Sequence, residues 1–288
     1  MSLVALAAGR GSRGVTTATL ALAATWPTPA LVAECDPAGG ALAARFGLPL
    51  LPGMLSLATA ARHGLDAAAV AAHVRALPLG LPALLGPSKA EQAEALGRTW
   101  SNVAPVLARL PDADVLADCG RVGPHPPMLA LLRHADLVVL VAEPTPDGLE
   151  QLKDRAAALA AALPATAAAG VARASRPVVS ALLLGERPYP PGEVQVWLAE
   201  QHLAVDVIGV LAHDPRAAAL LAGTPGRGNL RRSLLLRSAR TVAEQVSGWV
   251  HRPDELAAAS QRPADASTGT PPAASAVTTQ HTVTEPPT

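Results

Sequence analysis

Lysine is nearly missing from this 288-residue chain; Lys89 and Lys153 are the only two, and arginine carries almost all the basic charge. Tyrosine and phenylalanine occur once each, which excludes the stacking platforms that hold single-stranded nucleic acid. The two cysteines, Cys35 and Cys119, are too few for a disulfide framework and have no histidine at metal-ligand spacing. Both read as small buried hydrophobes in a reducing compartment. No apolar run approaches the ~20 residues that span a bilayer, and the chain opens with no charged-then-apolar leader. The expected location is therefore the cytoplasm. Formal net charge is zero, so no global field draws the chain to nucleic acid or anionic lipid. The histidines are scattered, and no serine, histidine and acid set emerges as a triad.

Half of the residues are hydrophobic, enough for one large domain or two small ones with well-buried cores. Short apolar runs alternate with alanine-rich helical stretches, the pattern of βα units that build a parallel sheet covered on both faces. Strands are predicted at 3–8, 30–34, 81–86, 114–118, 137–142, 177–184 and 206–211. Helices are predicted at 16–25, 54–62, 66–75, 89–109, 147–163, 191–201, 214–222 and 231–250. The expected fold class is α/β, a mostly parallel sheet with helices on both faces, in a single domain over residues 1–251. Residues 252–288 are rich in Pro, Ala, Ser and Thr and carry almost no large apolar side chains. Such a segment cannot bury enough surface to offset its ordering entropy, so it is expected to be disordered.

The stretch "GRGSRGVTT", Gly9 to Thr17, follows the first strand and opens the first helix. Unpaired backbone N–H groups and the helix dipole converge there on one point, which makes it an anion trap. Gly9, Gly11 and Gly14 permit the tight backbone, and the Thr16 hydroxyl is placed to bind Mg2+. A dinucleotide GxGxxG is formally present, but the GVTT that follows argues for a mononucleotide loop. The lysine of such loops is replaced by Val15. "LVAECDPAGG" brings Glu34 and Asp36 to the end of the second strand, and "DADVLADCG" brings Asp118 to the end of a third, where it reaches Mg2+.

These residues resemble the deviant Walker A family of MinD and ParA, whose loop is KGGxGKTT. On that pattern Arg10 takes the signature lysine's position, Gly11 and Gly14 match glycines, and Thr16 and Thr17 match both threonines. Ser12 departs from a glycine, and Arg13 and Val15 complete the loop. The TadZ/CpaE pilus-assembly branch resembles the loop best, since its members often replace the same lysine. Asp36, Pro37 and Gly39 match the family's DxDPxG, and Glu34 stands where its first aspartate helps hold the attacking water. Asp118 matches the Walker B aspartate, "HADLVVLVAEPT" resembles the next strand, and Asp214 with Pro215 matches a segment near the base. "GERPYPPGE", 185–193, falls at the family's adenine-contacting strand end, yet its usual asparagine is missing.

The resemblance implies a P-loop NTPase-like fold that binds ATP and Mg2+ through residues 9–17 and Asp118, with Glu34, Asp36 and Arg10 in catalytic positions. It implies a homodimer in which Arg10 reaches the partner's phosphates, and a protein partner in pilus, secretion or partitioning machinery. Without the lysine the loop loses more rate than affinity, so hydrolysis is expected to be slow or absent. A second reading is a scaffold that binds no nucleotide. A third, a partitioning ATPase on DNA, rests on Arg227, Arg231, Arg232, Arg237 and Arg240 near the last helix. The favoured reading of those arginines is the solvated face of a helix whose Leu234, Leu235, Val242, Val246 and Val250 face the core.

Overall fold

The computed structural model describes residues 1–9, 14–78, 80–163, 177–226 and 229–252. Arg10, Gly11, Ser12, Arg13, Arg227 and the tail from residue 253 lie outside them. The strands are β1 (Leu3–Ala8), β2 (Ala30–Glu34), β3 (Arg75–Ala76), β4 (Pro82–Leu84), β5 (Asp114–Arg121), β6 (Leu137–Ala142), β7 (Val178–Leu184) and β8 (Asp206–Leu211). They form one eight-stranded sheet in the order β3-β4-β2-β5-β1-β6-β7-β8. Every pairing is parallel except that of β3 with β4. The chain runs outward from β1 in one direction through β2 and then, after β5, in the other through β6. A crevice opens at such a reversal, above the carboxyl ends of the central strands.

Helices cover both faces: α1 (Val15–Ala23), α2 (Leu42–Phe46), α3 (Met54–Ala60), α4 (Ala67–His73), α5 (Ala90–Ala95), α6 (Trp100–Leu107), α7 (Leu129–His134), α8 (Pro146–Ala162), α9 (Pro191–Glu200), α10 (Pro215–Leu221) and α11 (Leu234–Val250). On one face Val4, Leu6, Leu116, Val139 and Leu182 pack with Leu20 of α1 and Val242 and Val246 of α11. On the other, Ala5, Val115, Val138 and Ala181 pack with Trp100, Leu131, Leu152 and Leu198. Being apolar on both sides is why the central strands read as unbroken apolar runs.

Two buried carboxylates anchor the amino-terminal edge of the sheet. Asp136 accepts from the Leu3 N–H at 2.8 Å. Asp114 accepts from the Ser2 N–H at 2.8 Å, Trp26 Nε1 at 2.9 Å and the Thr28 hydroxyl at 2.7 Å.

The observed elements depart from the sequence expectation in a few places. Helix 89–109 is divided into α5 and α6 around a 3₁₀ turn at Gly97–Thr99, since glycine is a poor helix former. Strand 81–86 shortens to Pro82–Leu84, and α2, α7 and the two-residue β3 were not expected. In α11, Leu235, Val242, Val246 and Val250 are buried, but Leu234 is 56% exposed at the first turn. Arg231, Arg232, Arg237 and Arg240 are exposed, as a solvated face requires. Among the described residues no helix is long and apolar enough to cross a membrane.

Candidate functional site

The crevice is built where β1, β2 and β5 end. Gly9 leaves β1 at the wall of a cavity of about 300 Å³, which Glu143, Thr145, Gln151 and Arg155 also line. Gly14 starts α1 with φ +88°, a conformation side chains rarely adopt, and a Cβ there would run into Leu184. The Val15 side chain is fully buried in the core beneath α1. Only its backbone is left to face a ligand. Thr17 and Gly14 instead line a second cavity, of about 270 Å³, with Glu143, Leu184, His213 and Asp214. Asp214 caps α10 through the Ala217 N–H at 3.0 Å and also accepts from the Leu234 N–H at 3.2 Å. It thereby ties α10 to α11 at the cavity wall.

Thr16 and Asp118, far apart in sequence, come side by side, and the threonine hydroxyl favours the charged form of the carboxylate. Asp118 is buried at the carboxyl end of β5 and accepts from the Gly120 N–H at 3.1 Å. Burial pushes its carboxyl up to about 6 against the pull of the Thr16 hydroxyl and the Gly120 N–H, and the nearby charges of Glu34 and Asp36 add to the rise. Asp118→Asn is therefore expected to stabilise the ligand-free chain at pH 8, by on the order of 2 kcal/mol. The folded Asp118 carboxyl holds its proton more tightly than the unfolded one, so its stabilising contribution is complete below 3.8 and lost as pH rises through about 6. Urea midpoints measured at pH 3.5 and pH 8 check this. The expectation fails if the asparagine variant gains nothing at the higher pH.

Asp36, half-buried, accepts from the Ala38 N–H at 2.8 Å within its own loop. Burial raises its carboxyl, while the Ala38 bond and the Arg121 guanidinium hold it back toward the charged form.

Glu34 is held by backbone on both of its oxygens. Its Oε1 accepts from the N–H groups of Ala41 and Leu42 at 2.6 and 2.9 Å, and its Oε2 from Gly86 at 2.9 Å. Both oxygens thus hold the loops after β2 and β4 together at the start of α2. Burial raises its carboxyl, opposed by these three bonds and by Arg45.

Cys35 and Cys119 are free and buried, and burial pushes both thiols up, as inert core residues require. Among the described residues no group of His, Cys, Asp and Glu could hold a metal ion by itself. Glu143, which the sequence motifs do not single out, lines both cavities from its place directly after β6, at the carboxyl edge of the sheet.

No protein-family model matches the chain, and no curated protein matches it in sequence. Solved structures do match. The cell division ATPase MinD of Pyrococcus furiosus superposes with a TM-score of 0.65 at 16% identity, over 86% of this chain and 98% of that one. The septum site-determining protein MinD of Pyrococcus horikoshii, solved with Mg-ADP, gives 0.63 at 18% identity, over 85% and 95%. A ParA family ATPase from Chlorobium tepidum gives 0.60 at 12%, over 84% and 97%. With the strand order and the glycine-capped α1 beneath the crevice, these likenesses establish that the chain has the P-loop NTPase fold of the MinD and ParA ATPases.

Proposed function

We propose that the chain binds ATP with Mg2+ in this crevice and uses the bound state to dimerise or to recruit a protein partner, with slow or absent hydrolysis. The observation that carries the reading is the placement of the Thr16 hydroxyl beside the buried Asp118 carboxylate. A hydroxyl opening a helix and a carboxylate ending a neighbouring strand are hard oxygen donors, the set that suits Mg2+ beside phosphates. Bound there, Mg2+ would neutralise phosphate charge. The N–H groups of Gly14, Val15, Thr16 and Thr17 at the start of α1 would cradle the phosphates, and Gly9, Gly11, Ser12 and Arg13 belong to the same loop. The cavity beside Thr17 and Asp214 is of a size to receive the nucleoside.

Slow turnover follows from two features. The loop offers no lysine to the transition state, and Glu34 is engaged by backbone. Asp36, half-buried beside Gly120, is the other carboxylate at the end of β2. Arg10 is assigned the reach across to a partner's phosphates in a homodimer, its planar guanidinium suited to them. The partner would belong to a pilus, secretion or partitioning machinery in the cytoplasm. Binding to DNA is not favoured.

Titration calorimetry of the full chain with ATP and ADP, with and without Mg2+, tests the reading. Micromolar, Mg2+-dependent binding is expected, weakened about 100-fold or more in Thr16→Ala. No heat at millimolar nucleotide would overturn it. A second reading, a scaffold without nucleotide, is favoured by the burial of Val15 in the core, and the same blank titration would be its support.

A further inference from the structure

A phosphate loop without its lysine leaves the charge of a triphosphate to be met by other groups. Glu34, Asp36 and Asp118 already crowd the end of β2 and β5 with negative charge. The register between β1 and β5 shows where a cation enters.

The two strands pair residue for residue from Leu3 with Val115 to Leu6 with Asp118, and then Ala8 pairs with Arg121. Two steps along β1 thus oppose three along β5, the count of a β-bulge. Gly120 makes the bulge, with φ +53°, and a Cβ on it would overlap the Asp36 carboxylate. In an uninterrupted strand, residues three apart face opposite sides. The extra residue reverses that rule, so Arg121 comes onto the face of Asp118, Leu6 and Ala8, the face that α1 covers. Cys119 and Val122, also three apart, both pack in the opposite layer, as the same shift requires. Arg121 therefore stands at the carboxyl end of β1, on the side of the sheet where the loop helix begins. It is exposed, and its charge reaches Asp36.

Resting on the nucleotide-binding reading above, we infer that Arg121 supplies the phosphate-neutralising cation that Val15 removed from the loop. The charge comes from the end of β5 and not from the start of α1. A guanidinium presents a planar fork that can take two phosphate oxygens, where a lysine presents one point charge. The Gly120 bulge is then part of the site, because it decides which face of the sheet carries the arginine.

The test is calorimetry of the full chain with Mg-ATP and with AMP, on the wild type, Arg121→Ala, Arg121→Lys, and Arg109→Ala as a distant exposed arginine. Arg121→Ala is expected to weaken ATP about 10- to 100-fold while AMP changes less than about threefold. Lysine at 121 should recover part of the loss, and Arg109→Ala should bind as wild type. Should Arg121→Ala fold poorly, Arg121→Gln keeps the length without the charge and carries the same comparison. Wild-type ATP affinity in the uncharged variant overturns the inference and leaves nucleotide binding standing. An equal loss of ATP and AMP overturns it too, since a phosphate contact must discriminate between them. Absence of any nucleotide binding by the wild type would instead remove the reading on which it rests.

Discussion

Replacing Asp114 with alanine is expected to lower the stability of the chain by about 3–5 kcal/mol, the cost of removing one partner from a buried charged network. Asp114 is completely buried at the start of β5. Its carboxylate accepts from the Ser2 N–H and hydroxyl at 2.8 and 3.0 Å, from Trp26 Nε1 at 2.9 Å and from the Thr28 hydroxyl at 2.7 Å. His251, just past α11, lies at 3.2 Å. One side chain thus joins the start of β1, the link from α1 to β2 and the end of the last helix. Alanine would strand the indole and backbone N–H groups in a place water does not reach. Asparagine keeps an acceptor and is expected to cost less. Burial pushes the Asp114 carboxyl up, but the bonds from Trp26, Thr28 and Ser2 outweigh it, and the net shift is downward from 3.8. The stability it contributes is therefore present above that value and lost as pH falls through the lowered one. Urea midpoints of wild type and Asp114→Ala should lie far apart at pH 7 and draw together in acid. A gap that persists unchanged at pH 2 would contradict this account.

Glu34→Ala should cost about 2–4 kcal/mol, because three N–H groups, two of them in buried bonds, lose their acceptor at once. The bonds to Ala41, Leu42 and Gly86 hold two loops against each other beside Asp36. Glutamine discriminates between holding a loop and positioning a water. Its carbonyl oxygen can keep Ala41 and Leu42, but its amide then meets the Gly86 N–H donor against donor. Aspartate, one methylene shorter, cannot serve both loops. Both variants are therefore expected to destabilise the chain in denaturant titrations and to loosen nucleotide affinity together with stability. A Glu34→Asp chain as stable as wild type, with faster ATP hydrolysis, would return Glu34 to the water-positioning role.

The elements read most securely from the sequence are the ones whose physics is local. Strands at 3, 30, 114 and 137 had to be continuous apolar runs, because each is buried on both faces. Gly14 and the two threonines mark where a strand turns into a helix, and Asp36 and Asp118 stand at carboxyl ends where a crevice opens. The helix Leu129–His134 was not legible, because its six residues follow the proline-rich "GPHPPM" and form a helix where Leu131 and Leu132 find the core. The position of Glu34 at the end of β2 is legible in the sequence, but its backbone partners are not. Its partners at residues 41, 42 and 86 come from loops that only the folded chain brings within reach.

The sequence by itself thus determined the α/β class, the succession of the main strands along the chain and the residue types at their ends, since hydrophobic periodicity and turn chemistry act over a few neighbours. Only the tertiary structure decided where those residues sit: that Thr16 stands beside Asp118, that Val15 turns into the core, and that Arg121 shares a face with Asp118. The last of these depends on a bulge at Gly120, and a bulge is defined by register against another strand, which no count of residues along one chain can show.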